Sequence, residues 1–406
     1  MTVKLFVDAL VIASAAVALA LAPRVLARRP DSVGAARRSV SPLVALAVVT
    51  GLVYVNQVLF TVYVLRVHAG DPSFIARYLP AGWFDLASAN PGLRRLADSF
   101  PAPQLLAPSV LRVQAFLELP FVLLAFATVV RWLDADLYRR IARSTLLPLA
   151  SVSYTAVFCL VEWDLRNPYT VDDLVVRAAS AVLTPLVLAR WAARDTGVSR
   201  TPASVGGLLL FIGSLGTLGV LVLVVYDTAL LYNLGRLDDR LPLAGAAAAA
   251  LTGLRLAASR VSPRSDAGLT LTFVGQALRH GLALFFVPAL VVRYGVMFGS
   301  PLLAAGAGLL MAAVACGCAW REAPAETEGA SDSGRLRGSL QLAGRLACAL
   351  MAGAGAAYAV ARLTPPSYYE VTLLSATATF LVTGVVACGL IDAWVSSPAR
   401  KSGAMK

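Results

Sequence analysis

Glu118 is the residue of this chain whose type and surroundings best suit chemistry. It lies inside the apolar run LRVQAFLELPFVLLAF, and Gln114 precedes it by one helical turn on the same face. A carboxyl at membrane depth is expensive and is by default a hypothesis for a functional site. We expect Glu118 and Gln114 to bind a proton or a polar solute, with a purely structural hydrogen bond between helices as the alternative.

Two amides and one basic pair interrupt other apolar runs. Asn56 and Gln57 occupy the middle of GLVYVNQVLFTVYVL, where amides bind a solute or, more commonly, connect neighbouring helices. Arg279 and His280 occupy LTLTFVGQALRHGLALFF. All four residues are candidates for binding a substrate or a proton.

The depth of Arg279 depends on where its helix begins. A start near Leu271 places Arg279 deep enough to meet Glu118. A start at Gly281 leaves Arg279 at the inner surface. We favour the second start, because an arginine side chain reaches the interface only from a short distance.

A cluster of acidic residues follows the fourth apolar run. The segment VEWDLRNPYTVDDLVVR holds four carboxylates around two arginines, and we predict that it lies at the outer surface. Such a cluster can bind a cation or supply catalytic acids, although loop charges are more commonly solvated. The four acids are Glu162, Asp164, Asp172 and Asp173.

Other kinds of chemistry lack the residues that they need. The two histidines, His68 and His280, are too few for a haem held by paired membrane histidines or for a histidine-rich zinc site. The five cysteines all fall within apolar runs, where cysteine behaves as a small hydrophobic residue. The glycines of GGLLLFIGSLGTLG follow no strand, so they indicate close helix packing rather than a phosphate loop. We therefore expect no metal and no cofactor.

Long apolar runs carry these polar positions. A helix needs roughly 20 apolar residues to cross a bilayer core, and 58% of this chain is hydrophobic against 14% charged. The sequence predicts an all-α, polytopic transmembrane bundle of about eleven helices, of which the seventh is the least hydrophobic. The predicted spans are 5–22, 42–65, 110–130, 144–161, 174–189, 205–226, 241–258, 274–297, 301–319, 341–361 and 371–394.

Arginine determines the predicted orientation. If the amino terminus is outside, the inward segments hold about twice as many basic residues as the outward segments. We therefore predict an outside amino terminus and an inside carboxyl terminus in the cytoplasmic membrane, with loop arginines meeting anionic headgroups. The first run resembles a signal-peptide core, but several arginines follow it directly, which favours a retained helix.

Two polar stretches separate the predicted spans. The outer loop at 67–109, between the second and third helices, contains several prolines, and its aromatic residues suit short helices in the headgroup layer. The segment 321–340 is poor in apolar residues and predicts a flexible cytoplasmic linker. The predicted domains are a bundle at 1–320, this linker, a final helix pair at 341–396 and a short basic tail at 397–406.

Taken together, the residues favour transport over catalysis. The net charge of +12 comes mostly from arginines beside membrane ends, so we expect no nucleic-acid partner. Buried polar groups and glycine-rich helices favour a transporter or permease of a small or lipophilic solute. The alternatives are a membrane-embedded transferase acting on a lipid-linked substrate and a non-catalytic subunit or immunity-type protein of a membrane complex. The scarcity of lysine relative to arginine indicates a bacterium with a GC-rich genome.

Overall fold

Long runs of alanine, leucine and valine give this chain its helices. In lipid, a helix satisfies every backbone polar group within one segment, so apolar runs of this length fold as helices. In the computed structural model the described residues form helices and no strand. The structure describes residues 3–27, 40–71, 73, 89–100, 107–165, 170–197, 204–230, 234–260, 268–328, 332–363 and 369–395.

The structure describes fourteen α-helices and two shorter helical turns. A π-helical turn, Tyr226–Leu230, follows the helix that ends at Val225, and a 3-10 turn, Leu234–Arg236, precedes the helix that begins at Leu237. The helices are α1 Val3–Leu26, α2 Pro42–Val67, α3 Pro91–Ser99, α4 Ala107–Leu133, α5 Ala135–Arg143, α6 Leu146–Leu165, α7 Thr170–Ala193, α8 Val205–Val225, α9 Leu237–Arg260, α10 Leu269–Phe285, α11 Pro288–Met297, α12 Pro301–Glu328, α13 Asp332–Leu363 and α14 Tyr369–Val395.

Within the described residues, 9 helices are long and apolar enough to cross a membrane, which indicates a multi-pass membrane protein. They are α1, α2, α4, α6, α8, α9, α12, α13 and α14, and α9 covers the least hydrophobic predicted span. The pair α10 and α11 passes the same test together, although it bends by 69° at its break. Pro288 explains the break, because proline lacks an N–H and clashes with the preceding turn. Helix α7, over the predicted span 174–189, is a helix but is not among these 9.

Helix α10 begins at Leu269, so the start at Gly281 that the sequence favoured is wrong. Asp392 lies beside the first turn of this helix. Its carboxylate lies against Gly268, where a Cβ atom would come within 2.7 Å of the Asp392 Cγ. A carboxylate at this position offsets the positive end of the helix dipole. Asp392 is also paired with Arg345, whose Nη1 lies 2.9 Å from Asp392 Oδ1.

The chain divides into two compact units. The first comprises Met1–Ser199, Val224–Leu243 and Leu282–Met311, and the second comprises Arg200–Leu223, Ala244–Gly281 and Ala312–Lys406. In the first unit, α4 packs against α2 and α7, and α6 packs against α1 and α7. In the second unit, α13 packs along α14. A Cβ atom at Gly353 would lie 2.9 Å from the Phe380 carbonyl oxygen, so these two helices approach closely.

The two predicted polar stretches are described in part. Of the outer loop, the structure describes residues up to 71, Ser73 and the segment that contains α3, whose first turn is capped by the Asn90 side chain. The aromatic piece at 74–88 lies outside the described residues. The predicted linker is helical as far as Glu328 and again from Asp332. The domain boundaries stay a prediction.

Candidate functional site

Arg177 on α7 is the centre of a buried group of charges in the first unit. Its Nη1 lies 2.8 Å from Glu118 Oε2 on α4, and its Nη2 lies 3.1 Å from Glu162 Oε1 on α6. The three residues are only 5 to 7% exposed. The planar guanidinium presents its donors in a fork, which lets one arginine hold two carboxylates. We call Glu118, Glu162 and Arg177 the ion triad.

Aromatic residues enclose the ion triad. The Tyr154 hydroxyl on α6 donates a hydrogen bond of 2.6 Å to Glu118 Oε1, and the Tyr294 hydroxyl on α11 donates to the Tyr154 oxygen at 3.3 Å. The guanidinium carbon of Arg177 lies 3.7 Å from the centroid of the Phe158 ring, a cation–π contact. Both oxygens of Glu118 are therefore engaged, one by the arginine and one by the tyrosine.

The ion triad carries an excess of negative charge, because two carboxylates share one guanidinium. A further carboxylate, Asp173, is only 6% exposed and lies within electrostatic reach of Glu162 and Arg177. Glu162 Oε2, Asp173 Oδ1 and Arg177 Nε have no hydrogen-bond partner among the described residues. Buried polar atoms without partners are costly, so this arrangement suits an additional proton or cation.

Acidic residues connect the ion triad with the protein surface. Asp172, next to the buried Asp173, forms an ion pair with Arg112, and the two side chains are 46% and 43% exposed. Arg112 precedes Glu118 on α4 by a distance of about 9 Å along the helix. A half-exposed ion pair therefore lies about two turns from a buried one on the same helix.

Asn56 and Gln114 form a second polar site in the first unit, between α2 and α4. Asn56 Nδ2 donates to Gln114 Oε1 at 3.0 Å and to the Val110 carbonyl at 2.9 Å. Gln114 Nε2 donates to the Ala229 carbonyl at 3.2 Å. Helix α4 thus carries two polar residues one turn apart, Gln114 and Glu118, which bind different neighbouring helices.

The Ala229 carbonyl belongs to the π-helical turn Tyr226–Leu230. Such turns are rare and are frequent at functional sites. Here the Thr228 hydroxyl lies 2.8 Å from the Tyr54 hydroxyl, which joins the turn to α2. Gln57, also on α2, is fully buried, and its side-chain amide has no hydrogen-bond partner among the described residues.

The basic pair predicted from the sequence lies in the second unit. Arg279 is 8% exposed and His280 is 6% exposed. His280 Nε2 lies 3.0 Å from Glu322 Oε2, and Gln276 donates to Glu326 at 3.0 Å. In the structure, the ion-pair partner of Glu118 is Arg177.

Sequence reasoning missed three residues of this site, namely Arg177, Tyr154 and Tyr294. Arg177 lies inside a predicted span, and an arginine at that depth was the available signal. The interpretation of the acids as solvated loop charges is wrong for Glu162 and Asp173, since both are buried. The side chain of Asp164 lies outside the described residues.

Comparisons add no likeness on which to base a function. Among the described residues, no group of three or more histidine, cysteine, aspartate or glutamate side chains is placed to hold a metal ion. No known family model, no curated protein and no solved structure matches this chain. Its apolar helices and its buried polar groups are the features that bear on function.

Proposed function

We propose that this multi-pass membrane protein is a transporter or permease of a small or lipophilic solute, and that it uses the ion triad to exchange a positive charge. The observation that carries the proposal is the sharing of one buried guanidinium by two buried carboxylates. The transport function is the one favoured by the sequence. The proposed site comprises Glu118, Glu162 and Arg177.

The charge balance of the ion triad is the physical basis of this proposal. An ionised carboxylate costs several kcal/mol in a protein interior, and attraction to one guanidinium offsets that cost for only one of the two. A proton on either carboxylate, or a solute cation beside them, removes the imbalance. Binding and release of that charge would alter the contacts between α4, α6 and α7, and this change links charge exchange to a movement of helices.

We further propose that the ion triad is reached from the outer face. In the orientation predicted from arginine, the Arg112–Asp172 pair lies near the outer end of α4 and α7, with Glu118 about 9 Å deeper. Acidic residues along this route raise the local concentration of cations. At the opposite end of α4, Arg131 pairs with Asp195 at 2.9 Å, in keeping with an inner face rich in arginine.

Eleven crossings are part of the proposal. The 9 apolar helices, the bent pair α10–α11 and helix α7 correspond to the eleven predicted spans. Helix α7 carries Asp172, Asp173 and Arg177, and these charges lower its apolar character. Because Arg177 is paired inside the first unit and the half-exposed Asp172 is paired with Arg112 near the outer end, α7 can cross the membrane without placing an unpaired charge of either residue in lipid.

Flux in proteoliposomes tests the proposal. Vesicles loaded with a pH-sensitive dye are exposed to choline, tetraphenylphosphonium, dodecyltrimethylammonium or glucose, and luminal pH and uptake are followed. We expect at least one cation to move protons through the wild-type protein. Glu118→Gln keeps shape and hydrogen-bonding capacity but removes ionisation, so it should abolish this response with near-normal expression and detergent stability.

The matched control is Asp98→Asn, which removes an exposed carboxyl on α3 outside the ion triad. It should retain wild-type flux. Wild-type flux in Glu118→Gln would end the assignment of proton exchange to the ion triad. The reading of the chain as a non-catalytic partner protein would then be favoured.

A further inference from the structure

An apolar groove lies beside the ion triad in the first unit. Its volume is about 580 Å³, within the range of roughly 300 to 1,000 Å³ that is usual for small-molecule sites. Helices α1, α6 and α7 form its walls, and all of its lining side chains except a cysteine and a tryptophan are plain hydrocarbons. The residues that matter here are Phe6, Leu10, Ala156, Cys159, Trp163 and Leu174.

The groove and the ion triad share two helices. On α6, Cys159, Glu162 and Trp163 have the spacing of i, i+3 and i+4, which places them on one side of the helix. On α7, Leu174 of the groove follows Asp173 directly and precedes Arg177 by one turn. Cys159, which lines the groove, is within electrostatic reach of both Glu162 and Arg177. The groove and the ion triad therefore occupy adjoining parts of α6 and α7.

Two buried carboxylates mark the edge between the groove and the ion triad, and each is next in sequence to a groove residue, Glu162 to Trp163 and Asp173 to Leu174. Glu162 Oε2 and Asp173 Oδ1 are buried and have no hydrogen-bond partner among the described residues. Around them, Arg177 is already bound to two carboxylates, and Arg112 is paired with Asp172. A ligand that places a positive group at this edge and an apolar tail in the groove complements both surfaces.

We propose that the groove and the carboxylates of Glu162 and Asp173 together bind an amphipathic cation, a molecule with one positive head and one apolar tail. This inference rests on the proposed transport function for its role, because it names the class of solute that would be moved. The negative charge of Glu162 and Asp173 favours a cation over other amphipathic ligands. An anionic head would meet two carboxylates that share the positive charge of Arg177 with Glu118, and a neutral lipid tail would leave their unsatisfied oxygens as they are.

Protection of Cys159 from alkylation tests binding directly. The protein carries Cys159 as its one remaining cysteine, after replacement of Cys316, Cys318, Cys348 and Cys388 by alanine, and is held in nanodiscs of phosphatidylcholine. N-ethylmaleimide labelling is followed with dodecyltrimethylammonium, dodecyl sulfate or tetramethylammonium present. We expect the dodecyl cation to slow labelling at least about fivefold. The anion with the same tail and the cation without a tail should leave the rate unchanged.

Variants separate the two halves of the ligand site. Glu162→Gln should weaken binding of labelled dodecyltrimethylammonium about tenfold, and Asp173→Asn should weaken it similarly. Ala156→Phe fills the groove and should also remove protection, whereas Val152→Phe, an exposed position of α6 outside the groove, should not. Because Ala156→Phe leaves the carboxylates in place, the test holds even if one acid variant fails to fold.

Either of two results in these binding assays would overturn the inference. Equal protection by dodecyl sulfate and by the dodecyl cation would make the groove an ordinary contact for lipid tails. Wild-type affinity in both Glu162→Gln and Asp173→Asn would remove the carboxylates from the site. Binding of the cation without any flux would support this inference and contradict the transport proposal. Flux of choline or protons without binding of the dodecyl cation would support the transport proposal and contradict this inference.

Discussion

Arg177 Nη1 and Glu118 Oε2 lie 2.8 Å apart, although the two residues are separated by 59 positions in the chain. This ion pair joins α4 to α7, and the second branch of the same guanidinium joins α7 to α6 through Glu162. Because the pair is buried, its partners depend on each other. Loss of one member leaves the others charged in an environment that solvates them poorly.

Arg177→Met should therefore destabilise the protein strongly. It leaves Glu118 and Glu162 buried without a cation, and breaking a buried pair typically costs about 3 to 5 kcal/mol. Thermal or denaturant unfolding in a mild detergent measures the loss. A free energy of unfolding within about 1 kcal/mol of wild type would show that the ion triad contributes little to folding.

A charge-free version of the same site provides the control. In Arg177→Met combined with Glu118→Gln and Glu162→Gln no charge remains, so most of the lost stability should return. Arg190→Met removes an exposed arginine from the same helix and should change stability by no more than about 0.5 kcal/mol. If the triple variant does not recover stability, the destabilisation comes from lost packing of the arginine stem and not from unpaired charge.

The sequence predicts the positions of many helices, and it identifies Glu118 as one residue of the site. Hydrophobic runs are local, so they predict helices such as α1, α2 and α14 within a few residues of their ends. Glu118 is identifiable because a carboxylate in an apolar run is rare. Which helix supplies its cation depends on how distant segments pack, and no local pattern in the sequence determines that choice.

The acidic cluster shows how a small error in helix length changes an interpretation. The predicted fourth span ended at residue 161, whereas α6 continues to Leu165. The predicted fifth span began at 174, whereas α7 begins at Thr170. These extra turns bring Glu162 and Asp173 into helices that pack together, whereas the spans predicted from the sequence leave them in a loop. The π-helical turn at Tyr226–Leu230 has no sequence signal that we could identify.

The hydrogen bond between Asn56 and Gln114 should contribute a measurable coupling energy. A double-mutant cycle of Asn56→Ala and Gln114→Ala should give about 0.6 kcal/mol, the average for polar contacts between membrane helices, and no more than about 1.7 kcal/mol. Unfolding of the four proteins in detergent supplies the values. A cycle of Asn56→Ala with Ser151→Ala, whose hydroxyl binds the Ala181 carbonyl, should give a coupling near zero.

Arg140 should stabilise the end of the first helix. Its Nη1 donates hydrogen bonds of 3.0 Å and 2.9 Å to the carbonyl oxygens of Leu26 and Ala27, where the helix dipole is negative. Arg140→Ala should lower the free energy of unfolding by about 1 to 3 kcal/mol, and lysine should restore it only in part. Arg194→Ala, at an exposed position, is the comparison. Equal small effects from both variants would rule out a special role for Arg140.

The orientation drawn from arginine predicts which cysteine variants react with an impermeant thiol reagent. In intact cells, a single cysteine at Ser73, which is exposed, or at Ser88 should be labelled from outside, and one at Ser39 should not. Ser88 and Ser39 lie outside the described residues. Labelling at Ser39 in intact cells would reverse the orientation. Labelling at Ser39 only after membrane disruption is the expected control result.

Gly295 should tolerate a methyl group far less well than Gly281 does. A Cβ atom at Gly295 would lie 2.8 Å from Val11 Cγ2 and 3.0 Å from Ala304 Cβ, whereas a Cβ atom at Gly281 meets nothing within 4 Å. Gly295→Ala forces neighbouring helices apart and should destabilise the protein by about 1 to 3 kcal/mol. Gly281→Ala should be neutral or stabilise it by up to about 1 kcal/mol, since alanine is the better helix former. Val11→Ala makes room for the added methyl, so the double variant Gly295→Ala, Val11→Ala should recover part of the loss. Equal unfolding temperatures for the two glycine variants would contradict the close approach at Gly295.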